Sequence, residues 1–224
     1  METRHIAIHP PTSHSFFALA GVGCLILLAV GLVFANIKPA WTIPVMVTTS
    51  LILAWFYWHL RQPAISLSLT PMHLQLHHRV GGWSVRWHSL ITIEQLQLER
   101  DGWYEPIPWV GLKLKSYDDI LCRISPRVVS QILIEQRILL IMAHRRGAKG
   151  SVAIEDMLFD DTPYIDHHGV RYTGLMAMFA NRMRYNRELL GSDLMISEDR
   201  LGMESSRFVG LARRYMMAAP SDDH

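Results

Sequence analysis

Charge is scarce at the start of this chain. Residues 1–60 carry three charged side chains, Glu2, Arg4 and Lys38, whereas residues 61–224 carry 39. An ordinary domain is about one-quarter charged; the later part matches this and the first part does not. Cysteine is nearly absent, with Cys24 and Cys122 the two in 224 residues, which excludes a disulfide scaffold. Strong charge of either sign is missing: a formal net charge of +2 gives no bulk electrostatic case for nucleic acid, and no nucleic-acid partner is expected. A hydrophobic content of 50% excludes intrinsic disorder. There is no Gly-x-x-x-x-Gly-Lys loop, no Gly-x-Gly-x-x-Gly and no Gly-x-Ser-x-Gly elbow, so no nucleotide chemistry and no cofactor are expected.

What is present begins with two apolar runs. Residues 16–37 are 22 positions without charge, and residues 41–60 are 20 with a single histidine, His59. About 20 apolar residues cross a bilayer core as a helix, so each run is long enough to span. Asn36 to Ala40, with Lys38 and Pro39, reads as the turn between them. Small residues four apart, Ala20/Cys24 and Gly31/Ala35, allow close helix approach. Trp41 at one end and Trp55, Phe56, Tyr57 and Trp58 at the other resemble interfacial belts. No Asp, Glu, Lys or Arg lies inside either run, which speaks against a polar transport path. Arg4 before the runs and Arg61, Arg79 and Arg86 after them place both termini in the cytoplasm by the positive-inside rule. Val33-Phe34-Ala35 has the small-residue look of a cleavage site, but the run exceeds the roughly 7–15 residues of a signal core.

From Ala64 the period changes to two. Ile65, Leu67 and Leu69 alternate with serines, then Met72, Leu74 and Leu76, then Trp83, Val85 and Trp87, separated by turn signals at Thr70-Pro71 and Val80-Gly81-Gly82. A longer strand runs from Leu90 to Leu98 and ends at Arg100-Asp101-Gly102, and Trp109–Leu114 and Ile120–Ile124 read as two more. Ser125-Pro126 opens a helix that stops near Arg145-Arg146-Gly147. Strands followed by one helix is the order of a pleckstrin-homology-like barrel, which the stretch Gly82 to Leu90 also resembles. The expected architecture is therefore membrane-anchored α+β. It has a tail over 1–15, a transmembrane helical hairpin over 16–60 (spans 16–37 and 41–60), an antiparallel pleckstrin-homology-like β-barrel capped by a helix over 61–147, and a mainly helical extension over 148–224. In that extension, Leu175, Met176, Phe179, Met183 and Leu190 mark one helix, and Ser205/Ser206 open the last one.

Three stretches carry a resemblance: Ile124 to Val129 continuing through Glu135 to Leu140, Thr173 to Met183, and Phe208 to Tyr215. They resemble a family of gammaproteobacterial membrane proteins called domain of unknown function 2982. The resemblance implies a multi-pass bacterial inner-membrane protein and brings no catalytic residues with it.

Three sets of side chains suggest chemistry. His73, His77, His78 and His88 lie in the expected sheet, with no metal-ligand spacing among them. Asp166-His167-His168 matches a tripeptide of manganese phosphoesterases, with Glu155, Asp156, Asp160 and Asp161 nearby; carboxylate and imidazole suit that metal. Arg137, His144, Arg145, Arg146 and Lys149 cluster at one helix end and Arg182, Arg184 and Arg187 mark the next helix, and basic residues beside a membrane attract anionic headgroups. The leading reading is a non-enzymatic interaction or scaffolding module with a cytoplasmic domain. Its partners would be the bilayer and another membrane or cytoplasmic protein, with anionic-lipid or partner contact through Arg137, Arg145, Arg146, Lys149, Arg184 and Arg187. The alternative is a membrane-anchored metal-dependent hydrolase using Asp166, His167 and His168 in the 155–168 segment.

Overall fold

The alternating pattern after residue 64 builds a four-stranded antiparallel sheet, and its first strand comes from the opposite end of the apolar region. In the computed structural model, which describes residues 2–7, 21, 23, 31, 42–60, 65–78, 81–100, 102–147 and 153–220, Arg4–Ala7 forms β1. It pairs antiparallel with β2, Ile65–Leu69, from Arg4 opposite Leu69 to Ala7 opposite Ile65. The chain thus leaves this sheet at Ala7 and rejoins it directly opposite. β3 (His73–His78) and β4 (Gly81–Arg86) complete the order β1-β2-β3-β4. Period two divides the sheet cleanly. Ile6, Leu67, Leu69, Leu74, Leu76, Trp83 and Val85 share the buried face. His5, Ser68, Gln75 and Ser84 lie in register across the other.

At Trp87–Ser89 the chain makes a 3-10 turn. Trp87 is fully buried, and its indole N–H donates to the Thr70 carbonyl at 2.8 Å. This corner starts a second sheet instead of continuing the first. β5 (Leu90–Arg100) and β6 (Trp103–Leu114) form a long hairpin, and β9 (Leu194–Ser197) adds to β6 opposite Trp109–Leu112. Between the pairs Gln95/Val110 and Gln97/Pro106 the ladder is irregular. Pro106 and Pro108 cannot donate to it, which accounts for the bulge. A two-stranded piece, β7 (Tyr164–Ile165) and β8 (Arg171–Tyr172), stands apart.

Here the expected barrel is corrected. Among the described residues there are separate sheets of four, three and two strands and no closed barrel. The third strand of the second sheet, β9, comes from the mainly helical C-terminal extension. Ile120–Ile124, read as a strand, instead follows Asp118 into the helical turn α2 (Asp118–Leu121), where Ser116 Oγ accepts the Asp118 N–H at 3.1 Å. The capping helix is also two helices, α3 (Pro126–Glu135) and α4 (Arg137–Gly147). They meet at Gln136, which is buried and donates from Nε2 to the Met195 carbonyl at 2.8 Å. The remaining helices are α5 (Ile154–Phe159), α6 (Leu175–Leu190) and α7 (Ser205–Met217). α6 ends at Gly191 in the left-handed conformation, φ 74°, as glycine allows at a helix stop.

The transmembrane hairpin is corrected too. Residues 1–8 with 65–224 form one compact unit and residues 9–64 another. The 16–37 run lies outside the described residues except for Gly21, Gly23 and Gly31. The 41–60 run contains the helix α1, Thr42–Leu60. Among the described residues no helix is long and apolar enough to cross a membrane. The physical reason lies in composition: Pro44, Thr48, Thr49, Ser50 and His59 interrupt the hydrocarbon character of α1. The multi-pass inner-membrane placement with cytoplasmic termini rested on these spans and falls with them.

The core of the larger unit is the apolar face of the first sheet and the inner side of the second, covered by α3, α6 and α7. Phe179 and Phe208 are the largest helical contributions, both almost fully buried. Full burial of such side chains contributes about 2–3 kcal/mol each. The Tyr215 hydroxyl of α7 donates to the Glu2 carbonyl at 2.7 Å. Gly202, at φ 59°, leaves no space for a Cβ, which would lie 2.9 Å from the Ala7 carbonyl oxygen. The two ends of the chain are locked together at β1.

Candidate functional site

α6 organises most of the polar chemistry. Its apolar positions recur at helical spacing and hold it against α3, α4 and α5, and polar residues sit among them. Asn181 donates from Nδ2 to the Thr162 carbonyl at 2.9 Å, and Arg182 from Nη2 to the Leu158 carbonyl at 2.7 Å. The Tyr185 hydroxyl donates to Asp160 Oδ2 at 2.7 Å. These contacts fasten α5 and the following loop along α6.

One turn further lies a buried hub. Asp193 has no solvent exposure. Its Oδ2 accepts from the Leu114 backbone N–H at 2.7 Å and its Oδ1 from the Tyr117 hydroxyl at 2.8 Å. Arg187 adds a bidentate pair, Nε to Oδ1 at 2.6 Å and Nη2 to Oδ2 at 2.5 Å, and reaches the Leu114 carbonyl as well. Burial pushes the Tyr117 phenol far above its ordinary value, and the Asp193 charge adds to the shift. The hydrogen bonds to Asp193 raise Arg187, against an opposing effect of burial. Such a phenol stays protonated and donates; it is poorly suited to act as a base. The hub ties β6, α6 and β9 together and is architectural.

Asp166 is also committed. It is buried, its Oδ1 accepts the backbone N–H groups of His168 at 2.9 Å and Val170 at 2.7 Å, and its Oδ2 accepts from the Tyr172 hydroxyl at 3.3 Å. This is an Asx-type turn that closes the β7–β8 hairpin, with Gly169 at φ 80°. His167 and His168 are exposed, and His168 Nε2 lies 3.8 Å from Asp118 Oδ2. Among the described residues no group of three or more His, Cys, Asp or Glu is placed to hold a metal ion. Glu155, Asp156, Asp160 and Asp161 do come together with Phe159 and Tyr185, around an open cleft of about 500 Å³, without Asp166. Burial alone pushes the Asp160 carboxyl up, but hydrogen bonds from Thr162 and Tyr185 outweigh it and hold the group below its usual range.

The sheet histidines separate. His77 Nε2 and His5 Nδ1 each lie 2.9 Å from Ser68 Oγ on the polar face. His73 shares that face opposite Arg86. His78 is on the other face, where its Nε2 is 3.2 Å from Glu135 Oε1. Glu135 is the acceptor for Arg200 and Gln131 too. Burial raises its carboxyl, and the bond from Gln131, the Arg200 charge and His78 together bring it below its ordinary value. His88 sits in the corner turn.

Among the described residues the basic side chains have different surroundings. Arg187 is spent on Asp193. Arg184 is exposed, 3.7 Å from Asp160. Arg137 and Arg145 are exposed at opposite ends of α4. The Arg146 side chain and Lys149 lie outside the described residues. Nothing local in the sequence marks Tyr117, Asp193, Glu135 and Arg200 as partners. For Arg182 a signal exists, since Leu175, Phe179, Arg182 and Asn186 fall on one helical face by spacing alone.

These features define a mixed α/β protein whose buried polar side chains tie separate sheets and helices together. The family model for a protein of unknown function, DUF2982, matches residues 67–218, and the chain belongs to that family. Curated proteins and solved structures yield no match.

Proposed function

We propose that the chain is a non-enzymatic interaction module that recognises a protein partner. One observation carries this reading. Beyond the bulge at Pro106 and Pro108, the β5–β6 ribbon is not covered by β9, and its tip presents Trp103 at 81% and Tyr104 at 69% exposure. Successive strand residues point to opposite faces, so both sides of the tip are aromatic. Large exposed aromatics mark interaction sites, and Trp and Tyr dominate interface hot spots. Two prolines in β6 disfavour addition of another strand along that edge, which leaves side-chain recognition. Around the tip Glu99, Asp101 and Glu105 outnumber Arg100, a net negative charge that disfavours an anionic lipid surface. The test is capture by the full chain and by a Trp103→Ser/Tyr104→Ser variant of equal stability. A partner bound by the first and lost from the second supports the reading; a capture profile unchanged by the double substitution refutes it.

A further inference from the structure

Arg182 sits mid-helix in α6 with 3% of its surface exposed. Its Nη2 is used on the Leu158 carbonyl, while Nε and Nη1 are buried and have no hydrogen-bond partner. Among the described residues it has no ion pair. A buried guanidinium normally has a carboxylate or phosphate opposite it, because removing the charge from water is otherwise uncompensated. Here the neighbouring charge has the same sign. Burial, followed by the charge of Arg137, lowers Arg182 to about 10. Arg137 is exposed at the start of α4, the helix packed beside α6. One guanidinium beneath the surface and one at it, with unused donors on the inner one, is an arrangement that an oxyanion completes through charge-assisted hydrogen bonds.

We propose that Arg182 and Arg137 form a receptor for a phosphate-type oxyanion between α4 and α6. This site is separate from the aromatic ribbon and does not depend on it. Nε and Nη1 are covered by the six-residue α5, whose Leu158 carbonyl accepts from Arg182, so occupancy of this receptor requires α5 to move aside. The anion comes either free or as a phospholipid headgroup, and the donors are the same in both cases.

The experiment is thermal unfolding of the full chain with inorganic phosphate, against sodium chloride at equal ionic strength. A parallel arm measures sedimentation with phosphatidylglycerol and with phosphatidylcholine vesicles. Expected is a dose-dependent rise in unfolding temperature with phosphate, or sedimentation with phosphatidylglycerol vesicles alone; the first identifies a free anion and the second a headgroup. Arg182→Met, which keeps the side-chain volume, abolishes the response. Arg137→Gln, at the surface and harmless to folding, weakens it about tenfold, the equivalent of one charge-assisted bond. No response to either probe overturns the proposal. A response that survives undiminished in both variants overturns it as well.

Discussion

Removing the Asp193 carboxylate tests the architecture most directly. In Asp193→Ala the Leu114 N–H and the Tyr117 hydroxyl lose their acceptor, and Arg187 loses both of its charge-assisted bonds. An unsatisfied buried donor costs about 1–3 kcal/mol, and breaking a buried ion pair costs about 3–5 kcal/mol. Arg187 retains 32% exposure of its side chain, so the pair is partly solvated and contributes only about 1 kcal/mol, which with about 1 kcal/mol for each of the two orphaned donors gives about 3 kcal/mol in total. For a domain of this size that lowers the unfolding temperature by about 6–12 °C. Urea denaturation followed by circular dichroism measures it. A double-mutant cycle adds specificity: Tyr117→Phe costs about 1 kcal/mol in the natural chain and close to nothing in the Asp193→Ala background. A loss below about 1 kcal/mol for Asp193→Ala would show that the hub does not hold β6, α6 and β9 together.

Four further outcomes follow from the same geometry. Arg182→Met costs no more than about 1 kcal/mol, because loss of the Leu158 bond is offset by relief of an uncompensated buried charge, whereas Arg182→Ala costs about 2–4 kcal/mol through the space it leaves; urea midpoints separate the two. Gly111→Ala costs about 2–3 kcal/mol, since a Cβ there would lie 2.7 Å from both Ser192 Cβ and Leu96 Cδ2, and Ser192→Gly in the same chain restores part of the loss in thermal melts. The carboxyl of Glu198 is held low by hydrogen bonds from the Ser205 hydroxyl and backbone N–H, and Glu135 and Asp160 are also held low; a depressed folded value means stability that is complete above the unfolded value and lost as pH falls through the folded one, so acid titration shows a decline beginning below about pH 4.5, and Glu198→Gln flattens it. Trp103→Ser/Tyr104→Ser leaves the unfolding temperature unchanged within the spread of surface substitutions, about 0.5 kcal/mol, and a large drop would assign the tip a packing role instead.

Much of the local structure follows from periodicity. The serine alternation at 65–69, the turn at Thr70-Pro71, the long strand ending before Gly102 and the two C-terminal helices are set by spacing and turn chemistry that act within a few residues. The failures share a different cause. Nothing local shows that Gln136 turns away from a continuous helix to reach the Met195 carbonyl, or that 194–197 adds to a strand some 80 residues earlier. The tripeptide Asp166-His167-His168 likewise carries no local sign that its carboxylate accepts the backbone N–H groups of its own turn.

By itself the sequence determined where apolar faces lie and where the chain turns, since alternation, glycine, proline and capping residues act at short range. It also determined the family, through the stretches around Ile124, Thr173 and Phe208. Only the tertiary structure decided which strands share a sheet and which polar groups are buried together. Those depend on contacts between distant segments: Glu2 with Tyr215, Ser66 with Arg200, Leu114 with Asp193. That is why Arg182 reads as one more basic residue in the sequence and becomes, once α5 lies over it, a buried cation with two unused donors.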